Sequence, residues 1–419
     1  MLPDDKISRE RLYVLLLACV QFSHIVDFVV LMPLGPTLME ALNIGPGKFG
    51  ALVSSYNFSA AIAAICLSTI SDRFDRKKLL MIGLLGFFAG ALLCALAPGY
   101  KSLLTARIFT GAFGGFLNSL ILALIADLVP YVRRGKAMGI LASAFSIASV
   151  IGIPIGLTIA DFFGWQSTFM FNASFTFIVG VAAFIVIPSV RPKVVKENAF
   201  KVLKRYMKML STPDYLKAHF FIFMVSMSMF VLIPFLSPYA VKNMGIETHQ
   251  LKYMYLVGGL VTIITARIFG RFTDSWGALR MFMILASASM LPVILYTHAG
   301  VVSLGSYILL SSLFMTFVSG RMIPCMTLVT AVPRPSERGS FMGVLNSVRA
   351  LGTAVATLIS GAIIQESESG ALENYNIVGY LSIGMIILTV LLAKSVHADT
   401  SGEEEIEHYS PSPQNRVKI

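Results

Sequence analysis

Apolar residues in this chain run in twelve long stretches, separated by short polar segments rich in glycine, proline and charge. Each stretch carries almost no charge and reaches about 20 residues, the length that a helix needs to cross roughly 30 Å of hydrocarbon. The pattern predicts an all-α membrane protein with twelve transmembrane helices. The predicted spans are 12–36, 49–70, 79–97, 102–128, 137–160 and 166–188, followed by 216–241, 250–270, 279–297, 302–330, 340–364 and 375–394.

Two landmarks recur at nearly the same offset along the chain. The turn after the second span reads S-T-I-S-D-R-F-D-R-K-K from Ser68 to Lys78, and a similar turn contains Asp274, 202 residues after Asp72. The pattern R-G-x2-M-G begins at Arg134 and begins again 204 residues later. This repetition indicates two tandem, pseudo-symmetric bundles of six helices.

The repeat divides the chain into four parts. We expect an N-terminal bundle over 1–188, a cytoplasmic linker over 189–214, a C-terminal bundle over 215–394 and a disordered cytoplasmic tail over 395–419. Apolar residues recur at helical spacing in the linker, between lysines and an arginine. This predicts an amphipathic helix on the lipid surface, and a solvated linker helix is the alternative.

Composition supports a membrane protein and charge sets its orientation. The 419 residues are 56% hydrophobic and 13% charged, with a mean hydropathy of +0.77. Of the 33 Lys and Arg residues, 25 fall on the side of the N-terminus, four on the other side and four within apolar stretches. The net charge of +11 is therefore a topology signal, which places both termini in the cytoplasm, and we expect no nucleic-acid partner.

The sequence lacks the motifs that are typical of ATP-driven transporters and of metalloenzymes. The sequence contains no G-x-x-x-x-G-K-[ST] phosphate loop and no H-E-x-x-H or other metal-ligand pattern. The four cysteines lie in apolar stretches without metal-ligand spacing, as expected of buried free thiols. We therefore expect no enzyme activity, no cofactor and no metal. Uphill transport by such a chain would draw on an ion gradient.

The turn after the second span resembles the signature of the major facilitator superfamily, G-x3-D-[RK]-x-G-R-[RK]. Asp72, Arg73, Arg76 and Lys77 match it, whereas Ser68 and Asp75 replace its two glycines. Within that superfamily the chain resembles the drug:proton antiporter-1 group, near its arabinose-efflux-permease-like members. Three stretches carry this resemblance: His24-Ile25-Val26-Asp27 continuing to Met32-Pro33-Leu34-Gly35-Pro36, Leu103-x3-Arg107-x2-Thr110-Gly111, and Gly152-Ile153-Pro154-Ile155-Gly156 before Gly164-Trp165.

Asp27, His24 and Arg107 are the candidate proton-coupling residues. An ionisable group within a membrane span is costly and usually faces a cavity or a partner. Counting residues from the predicted span ends at 1.5 Å each places Asp27 and Arg107 at similar depth. Asp27 is either a proton carrier, whose affinity for the proton changes as the pair with Arg107 opens, or half of a static ion pair between helices. His24 is either a proton relay or a buried, hydrogen-bonded imidazole.

Arg321 and Arg349 lie well inside the second half, with Asn346 one turn from Arg349. Two buried positive charges with no acidic residue nearby in sequence need a negative or polar group to compensate them. An anionic or polar substrate would supply it, and so would helix-end carbonyls or the acids of the first half. We therefore expect Arg321, Asn346 and Arg349 in the substrate cavity.

The family resemblance implies two further sets of residues. A charge network of Asp72, Arg73, Arg76, Asp127 and Asp274 would latch the two halves at the cytoplasmic face in the outward-open state, although simple topology anchoring by the basic residues is an alternative. Gly152, Pro154 and Gly156 would form the variant antiporter motif, which lets the fifth span bend and pack closely on a partner helix.

We expect a secondary active transporter, a proton-coupled antiporter that exports a drug-like compound, sugar or metabolite by alternating access. The expected partners are the lipid bilayer, the small-molecule substrate and protons, for a monomer in the bacterial inner membrane. The alternatives are a proton-coupled importer of a small polar or anionic solute and a membrane sensor that transports nothing.

Overall fold

A computed structural model describes residues 4–70, 74–190, 204, 207–334 and 337–396, with the side chains of 4–8, 67–70 and 131 left out. Twelve helical segments of the described chain are long and apolar enough to cross a membrane. We number these spans 1 to 12 in chain order. The termini face is the side on which span 1 begins, and the opposite face is the side on which span 1 ends.

Spans 1 to 6 contain eight α-helices and one π-helical segment. Span 1 is followed by a short helix, and span 5 consists of two helices joined by the π segment. Their bounds are α1 Asp4–Val30, α2 Gly35–Ala41, α3 Pro46–Ile70, α4 Arg76–Ala95, α5 Tyr100–Leu128, α6 Tyr131–Ile147, the π segment Ala148–Gly152, α7 Ile153–Phe163 and α8 Trp165–Val186.

Spans 7 to 12 contain eight further α-helices. Spans 7 and 10 each consist of two helices, and a two-residue antiparallel strand pair precedes span 12. The bounds are α9 Pro213–Phe230, α10 Leu236–Asn243, α11 Leu251–Trp276, α12 Ala278–Thr297, α13 Leu304–Gly320, α14 Met322–Thr330, α15 Arg338–Ile363, β1 Gln365–Glu366, β2 Leu372–Glu373 and α16 Tyr375–Ala393. Short 3₁₀ turns lie at Ile233–Phe235 and Thr248–Gln250.

Proline explains where the long helices break. Pro33 lies in the turn after α1, so span 1 ends at Val30 and not near residue 36 as the apolar pattern predicted. Pro234 lies in the 3₁₀ turn that divides span 7. Pro324 carries no N–H for the carbonyl of Gly320, and span 10 breaks between them at Arg321.

Small residues set the distance between helices inside the first half. Gly111, Gly114 and Gly115 line one face of span 4, and a Cβ atom at any of them would collide with Tyr56 or Ala60 of span 2. Close approach of this kind maximises van der Waals contact between membrane helices, whose apolar surfaces gain little from leaving lipid. It brings span 2 against the charged centre of span 4.

The two halves meet on the opposite face. Gly50 of span 2 packs on Gly361 of span 11, where an added Cβ at Gly50 would lie 3.1 Å from the Cα of Gly361. Phe49 and Phe235 meet edge to face at 5.6 Å between ring centroids. Val150 in the π segment of span 5 packs on Gly259 of span 8. These contacts close the opposite face of the molecule.

Charged contacts within each half lie on the termini face. Arg133 pairs with Glu10 at 2.6 Å inside the first half. Tyr215 donates to Glu337 at 2.6 Å inside the second half. The glycine and aromatic contacts that join the two halves lie towards the opposite face, and we infer from them a state open towards the termini.

The fold predicted from the sequence is confirmed: the protein is an all-helical membrane protein of two six-helix bundles, apart from the short strand pair. Residues 191–203, 205 and 206 of the linker predicted over 189–214 lie outside the described residues, as do residues 397–419 of the tail predicted over 395–419. The boundaries of the four parts remain predictions.

We predict that Gly50→Leu weakens closure of the opposite face. The new side chain would enter the contact with Gly361 and with the carbonyl oxygen of Thr357, 2.8 Å from an added Cβ. Overpacking costs about 1–3 kcal/mol, equivalent to a shift of about 5- to 150-fold in the conformational equilibrium. Spin labels at Lys48 and Glu368, which are exposed on opposite halves, should report a longer-distance population.

The matched control is Gly45→Leu, directly before α3, because Gly45 has nothing within 4 Å of an added Cβ. Its distance distribution should equal that of the wild type. An unchanged distribution for Gly50→Leu would contradict a role for the glycine contact in closing this face.

Candidate functional site

A buried ion pair joins span 1 to span 4. Nη1 of Arg107 donates to Oδ2 of Asp27 at 2.6 Å, and both side chains are 0% exposed. Among the described residues, Asp27 is the only acidic side chain that is buried. The sequence prediction that these two residues lie at the same depth agrees with this geometry, although Asp27 lies in the last turn of α1 and not at mid-helix.

Polar side chains of span 6 hold the carboxylate from the other side. Asn172 donates to Oδ1 of Asp27 at 3.4 Å, and its own Oδ1 accepts from Ser23 at 3.2 Å. Ser23 also lies 2.5 Å from the hydroxyl of Thr176. Asn172 was not identified from the sequence. The indication in the sequence was an amide side chain within a mostly apolar span.

Aromatic rings cover the guanidinium. The Cζ atom of Arg107 lies 4.6 Å from the ring centre of Tyr56 and 5.9 Å from that of Phe169. The Nε and Nη2 atoms of Arg107 and the Tyr56 hydroxyl are buried without a hydrogen-bond partner within the described chain. A fully buried charge is stable only when it is paired, so this guanidinium depends on one carboxylate and on ring contacts.

His24 is separate from this pair. The structure places its half-buried ring beside Asn118 of span 4 and within electrostatic reach of Arg349 from the other half. Its Nε2 atom has no hydrogen-bond partner in the described residues. Gln21, one turn before His24, donates to Asn118 at 3.3 Å. These polar residues line the first half opposite span 11.

Arg321 is buried at the break in span 10. It donates to Ser228 of span 7 at 2.9 Å and to Ser289 of span 9 at 3.4 Å, and its side chain is 1% exposed. None of its contacts in the described chain is with a carboxylate. Sequence reasoning had named Arg321 but neither serine, which nothing in the local pattern distinguishes from other small residues.

Arg349 has a different environment. It lies near the middle of span 11 and is exposed to solvent, and its guanidinium makes no hydrogen bond or ion pair with the described residues. Asn346, one turn earlier, is half-buried. An exposed cation at mid-span, within electrostatic reach of His24, indicates a central cavity between the halves. Within the described chain, no three His, Cys, Asp or Glu residues are grouped to hold a metal ion.

Comparison with known proteins identifies the family. The family described as Major Facilitator Superfamily matches residues 17–403. The chain belongs to the major facilitator superfamily. It is therefore a secondary transporter and not an enzyme.

Related members of the superfamily align over most of the chain. An uncharacterized MFS-type transporter of Bacillus subtilis, YceJ, is 26% identical over 85% of this chain and 90% of its own length. Multidrug resistance protein 1 of the same organism is 24% identical over 80% and 85%. A bacterial homolog of the human lysosomal transporter Spinster, in an inward-facing and unoccupied conformation, shares the fold with a TM-score of 0.74 at 14% identity, over 93% of this chain and 98% of that one.

The superfamily signature turn leads into an ion pair at the termini face. Nε of Arg76 donates to Oδ2 of Asp127 at 3.2 Å, with the Arg76 side chain 7% exposed and that of Asp127 33% exposed. Asp274 is exposed at the same face, in the last turn of span 8. Asp72 and Arg73 lie outside the described residues.

Asp75, which replaces a signature glycine, caps span 3. Its carboxylate accepts from the backbone N–H of Lys78 at 3.1 Å and from the Ser189 hydroxyl. Burial alone would raise the pKa of Asp75, but these hydrogen bonds outweigh it and lower the pKa. The cap is therefore formed above the ordinary carboxyl pKa and is lost as the pH falls through the lowered one.

The residues of the variant antiporter motif lie against span 1. A Cβ at Gly152 would lie 2.6 Å from Val26, and a Cβ at Gly156 would lie 2.8 Å from Val30. Pro154 lies in the first turn of α7, directly after the π segment. The motif therefore packs span 5 on the turns that carry Asp27.

We predict that Asp127→Ala lowers the stability of the protein. It leaves the mostly buried guanidinium of Arg76 without this carboxylate. Breaking a fully buried pair costs about 3–5 kcal/mol, and the partial exposure of Asp127 reduces the expected loss to about 1–3 kcal/mol. Thermal unfolding of the detergent-solubilised protein should show a lower midpoint.

The control is Asp214→Ala, which removes an exposed pair with Lys217 at the same face. That variant should unfold within about 0.5 kcal/mol of the wild type. Equal midpoints for all three proteins would show that the Arg76 pair contributes nothing to stability.

Proposed function

We propose that this transporter is a proton-coupled antiporter of the drug:proton antiporter-1 group, which exports a small molecule by alternating access. Asp27 is the proton carrier and Arg107 its charge partner. The observation that carries the proposal is the fully buried pair of these side chains, the only pair within the described spans in which an acid is completely removed from solvent. A buried acid in a transporter is a site where proton binding is tied to conformation.

The contacts around Asp27 supply a coupling mechanism. Protonation of the carboxylate removes the charge that holds Arg107 at 2.6 Å and leaves the guanidinium with unmade hydrogen bonds at Nε and Nη2. The guanidinium then lowers its free energy by moving towards water or towards another hydrogen-bond acceptor. Since span 5 packs on the last turns of span 1, a shift of span 1 is passed to the contact between Val150 and Gly259 of the other half.

His24 is proposed as the relay between this pair and the cavity. It lies one turn from Asp27 on span 1 and faces Arg349 across the cavity. A neutral imidazole with a free Nε2 can accept a proton from the open side and lies on the path to Asp27.

The orientation follows from charge. The excess of Lys and Arg on the termini face supports an orientation with that face and both termini in the cytoplasm, for a protein of a bacterial inner membrane. The described state is then open to the cytoplasm, ready to load an exported solute. A relative named as a multidrug resistance protein supports efflux as the direction. The protein acts as a monomer, with its substrate between the two halves.

We predict that Asp27→Asn abolishes coupling to protons. In proteoliposomes containing a pH-sensitive dye, wild-type protein should move protons when ethidium, fluorescein or arabinose is added, in the direction opposite to the solute it accepts. Asn keeps the volume and removes the charge, so solute-dependent proton flux should fall by about two orders of magnitude or more, as expected when an essential proton-transfer group is lost.

Asp214→Asn is the control, because Asp214 forms an exposed pair with Lys217 within the second half and away from the cavity. It should retain wild-type proton flux. Normal gradient-driven transport by Asp27→Asn would exclude the carrier role. Protons that moved in the same direction as the solute would establish an importer, and solute movement without protons would overturn the coupling.

A further inference from the structure

We propose that the substrate is an organic monoanion, whose acidic group binds Arg349 and whose apolar body occupies the space between Arg349 and the aromatic contact of Phe28 with Phe230. This inference rests on the proposed transport through the central cavity. It adds the chemical class of the substrate and the residue that recognises it.

Each half carries a buried arginine within a span, and the two arginines have different partners. Arg107 of span 4 pairs with Asp27 of span 1, and Arg321 of span 10 contacts Ser228 of span 7. Spans 4 and 10 correspond in the repeat, and so do spans 1 and 7. Ser228 follows Asp27 by 201 residues, close to the offsets of 202 and 204 between the repeated turns. Arg321 follows Arg107 by 214 residues, about three helical turns beyond the repeat-equivalent position, so the second half places its buried arginine elsewhere and pairs it with hydroxyls instead of an acid.

This difference leaves the cavity positively charged. Asp27 neutralises Arg107, whereas the described residues place no carboxylate on Arg321 or Arg349. Arg321 and Arg349 lie about 14 and 16 Å from the termini face, counted along their helices at 1.5 Å per residue. Two cations at one depth in a low-dielectric medium attract an anion and repel a cation.

Of these two arginines, Arg349 is accessible to solute. Arg321 is 1% exposed, with Ser228 and Ser289 on its guanidinium, whereas Arg349 is exposed and unpaired within the described chain. On span 11, Gly352 contacts span 7 and Gly361 contacts span 2. At 100° per residue, Arg349 points between these two neighbours, towards His24. Arg349 is thus the group that an incoming anion meets.

The walls beyond Arg349 are apolar. Phe28 of the first half and Phe230 of the second meet at 6.1 Å between ring centroids, and both are half-buried. Thr357 donates to the carbonyl of Phe230 at 3.5 Å. Thr357 lies eight residues after Arg349 on span 11, about 12 Å along the helix. That distance accommodates a ring system between the Arg349 guanidinium and the contact of Phe28 with Phe230.

Arg267 lies within span 8, about 14 Å from the termini face, and it serves as a control. It lies nine residues after Gly258, which contacts Met315 of span 10. Nine residues turn a helix by half a revolution beyond two full turns, so Arg267 points away from span 10. Its charge stays on the outer side of span 8.

The test compares fluorescein and rhodamine 123, which share a tricyclic core and differ in the sign of their charge. Binding to purified wild-type protein is measured by fluorescence anisotropy in low salt. We expect fluorescein to bind at least about tenfold more tightly than rhodamine 123, the ratio for one charge-assisted contact. Arg349→Gln should remove this preference by weakening fluorescein alone, and Arg349→Lys should restore part of it.

Two further variants separate the cavity charge from general effects. Arg267→Gln should bind both dyes as the wild type does. Ser228→Asp places a carboxylate beside Arg321, 2.9 Å from the present hydroxyl contact, and should weaken fluorescein several-fold while strengthening rhodamine 123. This variant is expected to fold, since the first half holds the same pair.

The outcomes distinguish this inference from the proposed function. The anion inference would be overturned if the wild type bound rhodamine 123 as tightly as fluorescein or more tightly, or if it bound neither dye. It would also be overturned if Arg349→Gln left the affinity for fluorescein unchanged. Proton-coupled export of rhodamine 123 would overturn the anion inference and still support the proposed antiporter function. Conversely, Arg349-dependent binding and transport of fluorescein without proton movement would support the anion site and overturn the proton coupling.

Discussion

Burying a guanidinium in a membrane protein is the constraint on which this structure depends. Arg107 is fully buried, and it is tolerated because Asp27 and the rings of Phe169 and Tyr56 contact it from spans 1, 6 and 2. Span 2 must approach span 4 closely to place this tyrosine, and the glycines of span 4 allow it. Packing and charge therefore support each other, because the close contacts exclude water and the exclusion of water strengthens the pair.

The same scaffold treats charge differently in its two halves. The first half satisfies its arginine internally, and the second half satisfies Arg321 with two hydroxyls and leaves Arg349 exposed to the cavity. An ion pair and an unpaired cation have different uses. The pair is suited to binding and releasing a proton, and the unpaired cation is suited to holding a ligand. Pseudo-symmetry in the backbone thus provides two chemical sites on one architecture.

The sequence predicted the twelve spans, the two-fold repeat and the depth match of Asp27 with Arg107, because each depends on hydrophobic length and helical rise. It did not predict Asn172, Ser228 or Ser289, whose roles come from contacts between helices far apart in the chain. It also extended span 1 through Pro33, since apolar residues continue past the point where the backbone turns. The helix breaks depend on hydrogen bonds that hydropathy does not record.

The contact of Gly50 with Gly361 joins the halves through backbone alone. A surface without side chains has no rotamers to reorder and no interlocked groups to withdraw when it separates. The glycine pair therefore adds no rotamer barrier of its own to separation, and any such barrier at this face lies with neighbouring side chains such as Phe49 and Phe235. The glycine pair also tolerates little sequence drift, because any added atom on one side must be matched by space on the other.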